Sequence, residues 1–124
     1  MPSKLVIDRD AAIVYSTLWG EITTPELRSH ATAIREHPDF DPTFSELIDF
    51  SAITALQVSS ADVQSLAMQE SPFHPSARRV LVAPEDLTYG MARMFQSFGG
   101  ESRPNLVIVR TLAEGRRRLG LKDT

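Results

Sequence analysis

The 124-residue sequence contains no cysteine and no long apolar run. The lack of cysteine excludes disulfides, thiolate zinc sites and a cysteine nucleophile together. A membrane-spanning helix needs about 18 or more apolar residues in succession, and a signal peptide needs an apolar stretch of about 7–15 residues. Near the N-terminus only Leu5, Val6 and Ile7 follow one another before Asp8. We therefore expect a cytoplasmic protein without membrane insertion.

Neither sign of charge is in large excess. The chain has 13 basic and 16 acidic residues, which gives a formal net charge of −3. Proteins that bind nucleic acid usually have a basic surplus, so we expect no nucleic-acid partner. A chain of this length can bury a sizeable core without metals or disulfides. We predict one domain that covers residues 1–124.

Recognisable catalytic and metal-binding motifs are also lacking. The sequence contains no G-x-S-x-G elbow, no P-loop and no G-x-G-x-x-G motif. His30, His37 and His74 have no second histidine at the helical spacing of an open metal site, so we interpret them as surface residues. The sequence predicts a protein that is not an enzyme and that has no metal or cofactor.

Strand and helix patterns alternate along most of the chain. Runs of β-favouring residues predict five strands, at Leu5–Asp8, Ile13–Trp19, Leu47–Phe50, Arg79–Ala83 and Leu106–Val109. Helical spacing and capping residues predict four helices. They run from the N-cap Thr24 to about His37, at Asp62–Glu70, from Pro84 to Phe98, and after the Thr111–Glu114 capping box. The order β-β-α-β-α-β-α-β-α predicts an α/β fold with a mixed, mainly parallel five-stranded sheet.

A hydroxyl-rich segment follows the third predicted strand. Its candidate residues for binding a partner or phosphate, or for phosphorylation, are Ser51, Thr54, Ser59 and Ser60. In parallel α/β sheets, binding sites lie beyond the carboxyl ends of the strands. Ser59 and Asp62 form a capping pair, but a helix N-terminus also suits a phosphate, either bound or attached to serine. The spacing alone leaves both interpretations open.

The third predicted helix has the strongest apolar stripe in the chain. Its members are Leu87, Met91, Met94, Phe95 and Phe98. Such a stripe is typical of core packing, but methionine-rich stripes also line adaptable apolar pockets. A small apolar ligand is therefore a second expectation. Trp19 and the nearby Ile22 are predicted to form an apolar patch for self-association.

Several segments together resemble a known family of regulatory domains. They are Trp19-Gly20-Glu21-Ile22-Thr23, Ile48-Asp49-Phe50-Ser51-Ala52-Ile53-Thr54 and Tyr89-Gly90-Met91-Ala92-Arg93-Met94-Phe95. This pattern is similar to STAS domains of the anti-sigma-factor antagonist (SpoIIAA-like) group. It also looks like that of small bacterial STAS-like proteins of unassigned function.

The resemblance implies a non-catalytic regulatory or protein-interaction module with a SpoIIAA-like fold, which could self-associate as a dimer. In anti-sigma antagonists, a partner kinase phosphorylates a serine in an Asp-Ser-Ser-Gly turn and thereby switches binding off. Gln57 stands at the position of the aspartate here, and Ser59 or Ser60 stands near the serine. The fold also resembles CRAL-TRIO lipid-binding domains, which implies a small apolar ligand or lipid as the alternative function.

Overall fold

The computed structural model of the protein describes residues 2–122 and confirms an α/β domain with a five-stranded mixed sheet and four helices. The strands are β1 (Ser3–Asp8), β2 (Ile13–Thr23), β3 (Ser45–Gln57), β4 (Arg79–Val82) and β5 (Leu106–Val109). The helices are α1 (Thr24–Glu36), α2 (Ser60–Met68), α3 (Asp86–Gly99) and α4 (Leu112–Arg118). A short 3-10 helix, Gly100–Ser102, follows α3.

The strands lie in the sheet in their chain order. β1 is antiparallel to β2, and each later strand is parallel to its predecessor. Right-handed crossovers that always advance in the same direction place their helices on one face of the sheet. α1, α2 and α3 therefore share a face, which we call the helical face. α4 packs on the opposite face, where Gly115 approaches Leu47, Val80 and Val82.

Side chains alternate between these two faces, as the pleat of a strand requires. On the helical face, Leu18, Ile48 and Leu81 pack with Ala92 of α3 in one apolar cluster. On the opposite face the cluster comprises Ile13, Leu47, Val80, Val82 and Val109, with Leu119 and Leu121 packed against it. Both faces of the parallel strands are thus covered by helices.

β2 and β3 are longer than the sequence predicted. The predicted strands end at Trp19 and Phe50, whereas the observed pairing continues to Thr23 and Gln57. β4 pairs with β3 only as far as Asp49, so the last part of β3 has β2 as its neighbour. Gly20, with φ +73°, continues β2 through an irregular register instead of ending it.

The helix caps also correct the predicted boundaries. α1 begins at Thr24 with Thr23, and not the predicted Thr24, as its N-cap, and the backbone N–H of Thr23 donates to Glu26 Oε1 over 2.9 Å. α2 begins at Ser60, two residues earlier than predicted, because the Ser59 hydroxyl accepts from the Asp62 N–H over 3.1 Å. The capping residue, rather than the first apolar residue, fixes the start of each helix.

Candidate functional site

A cavity of about 180 Å³ lies between the helical face of the sheet and helices α1, α2 and α3. Most of its lining is apolar, with contributions from Leu18, Ile34, Ile48, Val63, Leu81 and Phe95. An apolar protein cavity of about 150 Å³ is large enough to hold benzene. The cavity could therefore accommodate about one aromatic ring with a small substituent.

The cavity exists because α1 stands apart from α2. α2 packs closely against α3, and the lining includes the small side chains of Ala31 on α1 and Ala92 on α3. Polar side chains span the gap from α1: Thr24 Oγ1 donates to Asp62 Oδ2 over 3.0 Å, and Arg28 Nη2 donates to Ser65 Oγ over 3.1 Å. These contacts hold the two helices together without filling the space between them and the sheet.

The cavity reaches the surface where α1 and α2 end. Arg35, Gln69 and Glu70 belong to its lining and are all exposed. Arg35 Nη2 lies 3.5 Å from the Glu70 carbonyl oxygen, which is a long hydrogen bond across this opening.

A buried ion pair, Glu46–Arg79, belongs to the cavity lining. We call this pair, together with Arg103 and His30, the polar end of the cavity. The two residues are direct neighbours on β3 and β4, and Arg79 Nε donates to Glu46 Oε1 over 2.9 Å. Glu46 is only 1% exposed, and its Oε2 accepts from the Ser16 hydroxyl over 2.8 Å. The guanidinium of Arg79 stacks on Phe73, 4.5 Å from the ring centroid.

Arg103, in the segment after α3, brings a second guanidinium to the cavity lining. Its Nη1 donates to the Ala67 carbonyl over 2.7 Å, and its Nη2 donates to the Gln69 carbonyl over 3.0 Å. The guanidinium also stacks on Phe95 at 4.6 Å. Burial, and then the positive charge of Arg79, lower the pKa of Arg103 to about 10. Burial disfavours the charged guanidinium, and the positive charge of Arg79 repels it.

His30 of α1 also lines the cavity, which corrects its interpretation as a surface residue. Its side chain is half-buried, and its Nε2 is a buried nitrogen without a hydrogen-bond partner among residues 2–122. Burial lowers the pKa of His30, whereas the negative charge of Glu46 partly offsets that change. Burial is the larger effect and favours a neutral imidazole.

None of the four predicted hydroxyl residues belongs to the lining of this cavity. Ser51 and Thr54 are exposed residues of the extended β3, Ser59 caps α2, and Ser60 is the first residue of that helix. All four side chains are exposed. Their role in binding a partner or a phosphate remains a prediction.

The predicted stripe of α3 divides between the cavity and the surface. Met91 and Phe95 line the cavity. Leu87 and Phe98 are 63% and 40% exposed, and Met94 lies outside the lining.

The predicted patch of Trp19 and Ile22 is wrong in one member, since Trp19 is 40% exposed but Ile22 is fully buried in the core.

Sequence reasoning missed the polar end of the cavity. Glu46 and Arg79 gave no local signal, because only the register of β3 against β4 brings the two charges together on one face of the sheet. His30 did give a signal. His30 lies three residues after Leu27 and four before Ile34, on the apolar stripe of α1. That spacing predicts an inward-facing histidine.

Within residues 2–122, no group of three or more His, Asp or Glu side chains is arranged to hold a metal ion. None of the described helices is long and apolar enough to cross a membrane.

Comparisons with protein-family models and with curated protein sequences find no significant match to the chain.

Proposed function

We propose that the protein binds a small, mainly apolar molecule in the cavity beneath α1 and α2. The observation that carries this proposal is the cavity itself, which is about 180 Å³ in volume, apolar over most of its lining and bordered by exposed residues at one end. Ligand sites are typically concave and apolar, with a few convergent polar groups. Arg79, Arg103 and His30 supply such groups here.

The size of the cavity limits the ligand. Sites for drug-sized molecules usually measure roughly 300–1,000 Å³, so a whole phospholipid would exceed this space. A single aromatic ring or a short aliphatic chain fits it better. Transfer of such an apolar group from water into the cavity contributes a favourable free energy of about 25 cal/mol per Å² of apolar surface that is buried.

Toluene is a suitable neutral probe for this function, and a cavity-filling variant identifies where it binds. We expect toluene to bind the wild-type protein, as measured by ligand-observed NMR. Ala31→Leu adds three carbon atoms inside the lining and should weaken toluene binding by about tenfold or more, a loss of about 1.4 kcal/mol. Ala33→Leu is the matched control, because Ala33 is an exposed residue of the same helix.

Two results would count against the proposal. One is a failure of toluene to bind the folded wild-type protein at concentrations near its solubility limit. The other is equal binding by the wild type and the Ala31→Leu variant, which would place the toluene elsewhere. Circular dichroism of each variant checks that it is folded.

A second candidate function is the regulatory protein interaction that the STAS resemblance implies. Its support is the exposure of Ser51, Thr54, Ser59 and Ser60 within ten residues of the chain. If this surface binds a partner under the control of phosphorylation, Ser60→Glu should release partners that the wild type captures. The control is Ser97→Glu, on an exposed residue of α3. Unchanged capture by the Ser60→Glu and Ser59→Glu variants would remove the phosphorylation switch.

A further inference from the structure

We infer that the ligand is a small organic acid, with its apolar body in the cavity and its carboxylate at the polar end formed by Arg79, Arg103 and His30. This inference rests on the proposed function and adds the chemical class of the ligand.

The charge of the lining is opposite to that of the whole chain. Four arginines and two glutamates line the cavity: Arg28, Arg35, Arg79, Arg103, Glu46 and Glu70. Their balance is +2, whereas the formal net charge of the chain is −3. A cleft with walls of low dielectric concentrates the field of such charges, which attracts an anion.

The buried part of this set has one positive charge in excess. Glu46 accepts from Arg79, and the structure gives Arg103 no carboxylate partner within residues 2–122, only backbone carbonyls and the Ser102 hydroxyl. A buried charge without a counter-ion is costly, as the lowered pKa of Arg103 also indicates. A monoanion beside Arg103 would balance this excess positive charge.

The same end of the cavity has unused hydrogen-bonding capacity. Arg103 Nε and His30 Nε2 are buried and have no hydrogen-bond partner among the described residues. A carboxylate accepts several hydrogen bonds, and a guanidinium N–H or an imidazole N–H is a suitable donor to it. Protein atoms cover both nitrogens, so a small rotation of each side chain must accompany binding.

Other ligand classes satisfy these groups less well. A cationic group would meet two guanidinium groups, and a neutral amide would leave the excess positive charge uncompensated. A phosphate dianion would exceed the single buried surplus charge. A carboxylate on a ring or short chain is the class that agrees with both the charge and the volume.

The test compares phenylacetate, phenylacetamide and toluene as probes of the full-length protein, using ligand-observed NMR and calorimetry. We expect phenylacetate to bind about tenfold or more tightly than its amide, because hydrogen bonds to charged groups are the stronger ones. Arg103→Gln should bring the acid-to-amide ratio close to one. Glu46→Gln should raise the affinity for phenylacetate, because it removes the competing carboxylate but retains an acceptor.

Controls separate the inference from the proposed function. Arg117→Gln changes the net charge equally at an exposed residue of α4 and should leave the ratio unchanged. Toluene binding by each variant shows that its cavity is intact. Arg103→Met replaces Arg103→Gln if that variant does not fold, and Arg103→Lys, which keeps the charge, should retain a preference for the acid. Equal binding of acid and amide, with toluene still bound, overturns the inference and leaves the proposed function standing. Failure of all three probes overturns both.

Discussion

At the residue scale, the Glu46–Arg79 pair is the least exposed ion pair of the described chain, with side chains 2% and 14% exposed. Removal of one partner from a buried pair leaves the other charge without compensation, which typically costs about 3–5 kcal/mol. We therefore expect Arg79→Met to lower the free energy of unfolding by about this amount. Urea denaturation measures the change.

The double variant Glu46→Gln/Arg79→Met tests the cause of that loss. It removes both charges, while the new amide oxygen can still accept from the buried Ser16 hydroxyl. Much of the lost stability should return, because the stranded carboxylate is gone. If the double variant is as unstable as Arg79→Met alone, the loss comes from side-chain packing and not from the buried charge.

Sequence reasoning has a specific difficulty with such residues. Glu46 and Arg79 are 33 positions apart, and only the register of β3 against β4 makes them neighbours. Each charge alone, at the edge of an apolar run, looks like an exposed strand end. The capping role of Ser59 could be predicted, in contrast, because its partner Asp62 lies only three residues further along the chain.

At the scale of elements, two glycines within helices have opposite surroundings. A Cβ on Gly115 of α4 would lie 2.9 Å from Val82 Cγ2 and 3.1 Å from Leu47 Cδ1, both in the core. A Cβ on Gly90 of α3 would have no heavy atom within 4 Å. Close contact between α4 and the sheet therefore requires a glycine at position 115. The packing of α3 makes no such demand at position 90.

Alanine substitutions at these positions should change stability in opposite directions. Gly90→Ala should stabilise the protein by about 0.5–1 kcal/mol, because alanine has the higher helix propensity. Gly115→Ala should destabilise it by about 1–3 kcal/mol, since overpacking outweighs the same propensity gain. Chemical denaturation of both variants checks this, and stabilisation by Gly115→Ala would show that α4 does not pack tightly on the sheet.

The accuracy of the predicted elements depends on how local their signals are. β5 was predicted with its observed bounds, because residues 106–109 are all apolar and follow Pro104 and Asn105. The end of β3 was missed because Ser51, Ala52 and Thr54 have exposed side chains, and their strand conformation depends on pairing with β2. Tertiary pairing supplies that information, and the local sequence does not.

At the scale of the whole molecule, the topology brings distant residues to one cavity. The lining combines side chains from β2, α1, β3, α2, β4 and α3 with Arg103 beyond α3. The prediction that the hydroxyl-rich segment lies near a binding site followed from the carboxyl ends of the strands. The structure leaves the four hydroxyl residues outside the cavity lining, whereas Leu56 and Val58 of the same segment belong to it.

The pH dependence of stability should show two separate ranges. The pKa of His30 is lowered in the folded protein, so the unfolded chain binds a proton first as the pH falls below about 6.5. The free energy of unfolding should therefore decrease from about pH 7 downward until the folded pKa is passed.

The pKa values of Asp41 and Asp62 are also lowered, by hydrogen bonds from Thr43 and Thr24 respectively. Their stabilisation is present above about pH 4 and is lost at lower pH.

His30→Gln separates these two ranges, because it removes the only one of these three groups that titrates near neutrality. Urea unfolding of this variant should give a free energy nearly independent of pH between about 7 and 5, while the acid-side loss remains. Asp62→Asn is the complementary variant, which should reduce the loss below about pH 4 and leave the neutral range unchanged. If His30→Gln retains the decrease seen in the wild type, the imidazole is not held neutral by burial beside the cavity. The polar end of the cavity would then be more hydrated than the fold indicates.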